Sequence, residues 1–190
     1  DALRRNGLPI AEERLKELAK TDRSLTQIGE RILNRFREAE LEDAAEVNLG
    51  DPSLKSVWLS RAKPTSAIVG WIGPTYNRVP GAEKLLSING DYFASGIYAH
   101  APAEHIYKIA GQWQRFTGQC GIQGTNGGTV MFKIYGDGKL LWESQKINSA
   151  TAASYNVDVA GVDDLQLVVT NAGDGNAGDW GVWIEPLLSR

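Results

Sequence analysis

From residue 51 onward, apolar and polar positions alternate with a period of two over short runs, and glycine-rich turns separate the runs. Val130, Phe132 and Ile134 fall on one side of such a run, with Met131, Lys133 and Tyr135 on the other, as in a strand with one buried face. Gly136-Asp137-Gly138-Lys139 follows with residues that tolerate positive φ, so the pattern predicts a tight hairpin whose return strand is Leu140–Ser144. Tyr155, Val157 and Val159 alternate in the same way, as do Leu165, Leu167 and Val169, with Ala160-Gly161-Val162-Asp163 linking them. Phe116, Gly118, Cys120 and Ile122 make another inward row. Short strands at intervals of about 10 residues, with no helical pattern among them, predict a mainly β fold, an antiparallel sandwich or jelly roll.

The first 50 residues have a different period. Leu25, Ile28, Ile32, Phe36 and Ala39 recur at helical spacing, and Ser24 and Gln27 stand where a reciprocal capping box would satisfy first-turn amides. Ile10–Lys20, opened by Pro9 and carrying Leu15, Leu18 and Ala19 on one side, predicts a second helix, so an N-terminal α-helical hairpin is expected before the sandwich. Composition agrees: residues 1–50 hold 20 of the 43 charged residues but one aromatic, Phe36, and the boundary falls near Gly50-Asp51-Pro52. The organisation expected is a helical segment over 1–50, the tail of an upstream region, and a β domain over 51–190.

A formal net charge of -3 leaves no basic surplus to neutralise phosphates, which argues against nucleic acid and against an anionic membrane surface. No apolar run approaches the roughly 20 residues a spanning helix needs. Asp1 stands without a charged-then-apolar leader, as in a chain that begins mid-protein. Cys120 is the only cysteine, which excludes an internal disulfide, a thiolate zinc cluster and a CxxC pair. Its place in an alternating row makes it a small buried hydrophobe.

The residues do not suggest catalysis. His100 and His105 are the only histidines, no GxSxG elbow accompanies either, and the carboxylates of the β region lie mostly in turns. The aromatics are more informative, because an indole can stack on the flat C–H face of a sugar ring while amides, carboxylates and imidazoles take its hydroxyls. Trp58, Trp113 and Trp142 sit in or beside strand patterns and read as core, as does His105. Trp71, Trp180 and Trp183 stand among Gly, Pro, Asn and Asp in loop-like sequence and are the candidate platforms, with Asp179 and His100 as candidate hydroxyl partners. Gly173-Asp174-Gly175-Asn176-Ala177-Gly178-Asp179 is rich in short oxygen ligands; Asp174, Asn176 and Asp179 could hold Ca2+, and a plain Asx-turn loop accounts for the same residues.

In its order of motifs, the chain from about Val57 to Leu188 resembles the NPCBM family, related to carbohydrate-binding module family 51. The resemblance is carried by Trp58-Leu59-Ser60, by Thr65-Ser66-Ala67-Ile68-Val69-Gly70-Trp71, and by Gly96-Ile97-Tyr98-Ala99-His100-Ala101-Pro102 with Tyr107 after it. Gly111–Gly121, Asp137-Gly138-Lys139 with Trp142-Glu143-Ser144, and Gly161 before Leu165-Gln166-Leu167-Val168-Val169 follow in order. Gly173-Asp174-Gly175, Asp179 and Trp183-Ile184-Glu185-Pro186 close it. The family commonly has Asp-His-Ala-Asp-Trp where this chain reads Asp179-Trp180-Gly181-Val182-Trp183, so an indole and an isopropyl group replace an imidazole and a carboxylate. The resemblance implies a jelly-roll β-sandwich that binds sugars without catalysing a reaction. For some members it implies galactose-containing glycans and a structural calcium. It also implies a module of a secreted or periplasmic bacterial protein, attached to upstream domains of the same polypeptide. His100 matches the family histidine, as a ligand contact or as an imidazole tying loops together. The alternative function is a structural or protein-interaction sandwich without a sugar site.

Overall fold

The computed structural model describes residues 47–80, 85–124 and 126–190. The expected helices over 10–20 and 25–40 lie outside the described residues. The strands, in chain order, are β1 (Ser56–Trp58), β2 (Ser66–Val69), β3 (Thr75–Tyr76), β4 (Leu86–Ile88), β5 (Asp91–Phe93), β6 (Gly96–His100), β7 (Ala103–Lys108) and β8 (Arg115–Ile122). They continue with β9 (Thr129–Gly136), β10 (Lys139–Glu143), β11 (Ile147–Asn148), β12 (Ala152–Asp158), β13 (Asp164–Thr170) and β14 (Trp180–Ser189), and a single 3-10 turn follows β1 at Leu59–Arg61.

Two six-stranded sheets face one another. One runs β12-β8-β14-β6-β3 with β1 added to β14; the other runs β10-β9-β13-β7-β2 with β11 added to β9. Every strand pair in them is antiparallel. The alternation read from the sequence explains the packing. Val130, Phe132 and Ile134 of β9, Leu165, Leu167 and Val169 of β13, and Phe116, Cys120 and Ile122 of β8 all point into one core between the sheets. Each large apolar side chain fully buried there contributes about 1.5–3 kcal/mol. Asp137 and Gly138 take φ of 49° and 77°, the paired positive values of a two-residue hairpin turn, and Gly136 pairs with Lys139 across it. The packed unit also takes in Leu49, whose carbonyl accepts a hydrogen bond from Trp113 Nε1 at 3.2 Å.

A second, smaller apolar cluster lies on the other face of the first sheet. The β4–β5 hairpin covers it with Leu86, Ile88 and Phe93, over Tyr98 of β6 and Val182 and Ile184 of β14. Gln123 ties this hairpin down, accepting from the Ser87 amide at 2.9 Å and donating to the Leu85 carbonyl at 3.0 Å. The outer face of β6 and β14 is therefore paved with side chains, and the candidate site sits at the end of that paving. Among the described residues no helix is long and apolar enough to cross a membrane.

Candidate functional site

The site begins with a register. Trp180 opens β14 directly opposite His100, the last residue of β6, and two steps along Val182 faces Tyr98. Alternation along β6 puts Tyr98 and His100 on one face, and alternation along β14 puts Trp180 on that same face. The turn after β2 then lays Trp71 over them. Trp71 and Trp180 have ring centroids 4.7 Å apart with planes inclined by 50°; Trp71 lies 6.1 Å from the His100 ring, and Tyr98 meets Trp180 edge to face at 5.8 Å. Trp180 is half-buried by these neighbours and by the small outer cluster. Trp71 is 44% exposed and is the indole of this group with an open face.

The turn that presents Trp71 is unusual for its residues. Ile72 has φ 64°, a region that a β-branched side chain rarely enters, and the Gly73 amide donates to the Trp71 carbonyl at 2.9 Å around it. Strain of this kind persists where surrounding contacts hold it. Gly70 supplies one of them: its amide donates to the His100 carbonyl at 3.0 Å, and a Cβ there would lie 2.6 Å from the Ala101 carbonyl oxygen. Only glycine lets the Trp71 segment approach β6 so closely.

His100 is buried, and its Nδ1 lies 2.9 Å from the Ala101 carbonyl oxygen. A carbonyl can only accept, so Nδ1 carries a hydrogen, and in that tautomer the ring lone pair lies at Nε2. The imidazole can thus accept a hydrogen bond from a ligand hydroxyl beside the indole face. Tyr98 was not singled out by its composition; the signal was its place two residues before His100 on the same strand face. Its hydroxyl is buried without a hydrogen-bond partner, and burial pushes the phenol above its ordinary range.

Of the residues expected from sequence, the structure brings Trp71, Trp180 and His100 together and separates the others. Trp183 is wholly buried between the sheets, 4.8 Å from the Phe132 ring and 5.5 Å from Tyr155, so it is core and offers no face to a ligand. The physical reason is that Trp180–Ser189 is a strand rather than a loop, and residues three apart on a strand point to opposite faces. Asp179 is also not a surface contact, being 1% exposed. Its Oδ1 accepts from the Thr129 amide at 2.8 Å, and its backbone carbonyl accepts from the Ala101 amide at 2.9 Å. It braces the start of β14 from below. Desolvation raises its carboxyl above the usual range, and Asp174 adds to that.

The proposed cation ligands can be tested on their geometry. Calcium takes six to eight oxygens. Asp174 Oδ2 is 2.5 Å from Lys146 Nζ, and Thr129 Oγ1 donates to the same carboxylate, 2.8 and 2.6 Å from its two oxygens. Asn176 is exposed, its backbone carbonyl accepting from the Asp179 amide at 3.4 Å. Asp179 Oδ2 is a buried oxygen with no partner, but it is one donor, and among the described residues no three His, Cys, Asp or Glu side chains gather around a common point. An ammonium group already stands in the loop. These residues do not fit calcium. Lys146 was invisible to a local reading, since 28 residues separate it from Asp174.

His105, read as structural, lies in β7 between Ala67 and Leu167 and is fully buried, with the Tyr76 ring 6.0 Å away, edge to face. Burial pushes its pKa down to about 4, so the ring is neutral at physiological pH. Burial likewise pushes the Cys120 thiol up.

Comparison with known proteins gives the wider setting. The model of the NPCBM/NEW2 domain matches residues 55–189. The structure of CBM51-2 in complex with GlcNAc and INT domains from Clostridium perfringens ZmpB is similar with a TM-score of 0.66 and 26% identity, over 72% of this chain and 32% of that one. The M60 catalytic domain with the CBM51-1 and CBM51-2 domains of the same ZmpB gives 0.66 and 26%, over 72% of this chain and 15% of that one. CBM51 from Clostridium perfringens GH95 in complex with methyl-galactose gives 0.65 and 24%, over 70% and 99%, a likeness of fold. This chain thus spans about a third or less of the ZmpB chains it resembles. No curated protein matches it in sequence.

Proposed function

The chain belongs to the NPCBM/NEW2 domain family, and from that premise we propose that it is a non-catalytic module that binds a neutral glycan at the end of β6 and β14. The observation that carries this reading is the open indole of Trp71, laid over Trp180 beside the His100 imidazole, whose Nδ1 is turned to the Ala101 carbonyl and leaves Nε2 as the candidate acceptor. A sugar ring matches that pair: a flat C–H face for the indole and a hydroxyl for His100 Nε2. The GlcNAc-bound CBM51-2 neighbour, at 26% identity, supports an N-acetylhexosamine as ligand. The M60-containing neighbour supports a place beside a catalytic domain in a larger bacterial protein.

The reading as non-catalytic rests on the side chains. His105 is sealed in the core and His100 is tied to a carbonyl, and neither stands beside a nucleophile in the hydrogen bonds described. Stacking on one indole buries modest apolar area while hydroxyls are stripped of water, so the terms largely offset. Affinity for a monosaccharide is expected between micromolar and millimolar, about -4 to -8 kcal/mol. A second reading, a protein-interaction sandwich without a sugar site, is favoured by the half-buried state of Trp180, which packs as a core residue would. An array of immobilised neutral glycans separates the two. Binding that free N-acetylglucosamine or galactose competes away supports the module, and a blank array moves the assignment to the interaction domain.

A further inference from the structure

The loop between β13 and β14 carries Asp174 and Asp179 among three glycines, a composition that elsewhere closes around a divalent cation. Here three separate segments are joined without one. The Thr129 amide at the start of β9 donates to Asp179, the Thr129 hydroxyl donates to Asp174, and Lys146 donates to Asp174 from the link between β10 and β11. The placement of the lysine follows from register. Asn148 pairs with Thr129 and Ile147 with Val130, so the residue before Ile147 is delivered beside the same strand. Gly128 and Gly178 lie so close that a Cβ on Gly128 would fall 2.3 Å from Asp179 Oδ1 and 2.4 Å from the Gly178 carbonyl oxygen. The two acidic residues are therefore drawn against one strand, with a single cation over them.

We infer that Lys146 is the resident cation of this loop: its ammonium group occupies the role that calcium would take, and the loop under Trp180 is closed without metal. The lysine and the Thr129 hydroxyl hold the Asp174 carboxyl below its usual range, so that carboxylate stays charged across neutral pH. Asp179, whose Oδ2 has no partner, feels the same ammonium group through space. Lys146 is thus a positioning residue for this loop, acting through Asp174.

The test is the melting temperature of the whole chain in EDTA and in millimolar calcium, at low ionic strength because both partners are about half exposed. The wild type is expected to melt at the same temperature in both. Lys146→Ala is expected to melt about 2–4 °C lower in EDTA, with part of the loss recovered by calcium, since two carboxylates are left without a counter-ion. Lys146→Met, which keeps the apolar stem, should behave as Lys146→Ala, and Lys146→Arg as the wild type. A wild type stabilised by calcium, a Lys146→Ala protein that melts as the wild type in EDTA, or one that calcium does not stabilise would each overturn the inference.

Discussion

Tryptophan carries two distinct roles in this chain, and strand geometry decides which. Trp71 lies on a turn with an open face, whereas Trp183 fills the space between Phe132 and Tyr155. Truncating Trp183 removes a fully buried indole and leaves a cavity, so Trp183→Ala is expected to cost about 3–5 kcal/mol in denaturant unfolding. A loss under 1 kcal/mol would mean that the ring is not the keystone of the core. His105 gives a prediction of a different kind. Unfolded, it takes up a proton near the ordinary 6.5; folded, only near about 4. The unfolded chain therefore binds more protons between those values. The stability tied to the neutral ring is complete above about pH 6.5 and falls as the pH drops toward 4, by about 3 kcal/mol in all. His105→Leu replaces a buried polar ring that has no hydrogen-bond partner with an apolar side chain, so it should flatten this window without destabilising the protein at pH 7. An unchanged pH profile in the variant would assign the acid sensitivity to other groups.

At the scale of elements, the regular alternation of β9, β12 and β13 was legible because each has one face in the core and a more exposed one opposite. The hairpin at Asp137-Gly138 was legible because its turn needs positive φ at both positions. β14 was not. Its first half, Trp180–Ile184, packs between the main core on one face and the β4–β5 hairpin on the other, so both faces are apolar there and alternation disappears. Trp180 and Trp183 consequently read as loop residues, and the separation of their roles emerged only from the strand. The turn after β2 is a further case. Nothing in Gly70-Trp71-Ile72-Gly73 announces that isoleucine, not glycine, takes φ of 64°. Because Ile72 is 63% exposed, little burial is lost on truncation. Ile72→Gly is therefore expected to leave the unfolding free energy unchanged or raise it, by up to about 1 kcal/mol of relieved strain net of glycine's entropy. A clear drop would show that the side chain holds the turn by packing.

Over the whole molecule, the sandwich and its core rows were readable, since burial patterns and motif order are properties of the chain itself, and Trp71, His100 and Trp180, singled out from sequence, lie side by side. The surroundings of Asp174 and Asp179 were not legible because they depend on partners far away in sequence, Lys146 and Thr129, whose arrival is set by sheet register. What the fold accomplishes is to bring one turn, the end of β6 and the start of β14 to a single corner, with an exposed indole over an imidazole acceptor. The central claim is that this corner holds a sugar on Trp71. The most direct measurement is binding of the wild type and Trp71→Ala to the same neutral glycan array, with the melting temperature of each recorded. Loss of glycan binding with a melting temperature within a few degrees of the wild type is the expected result. Undiminished glycan binding by Trp71→Ala would contradict the account.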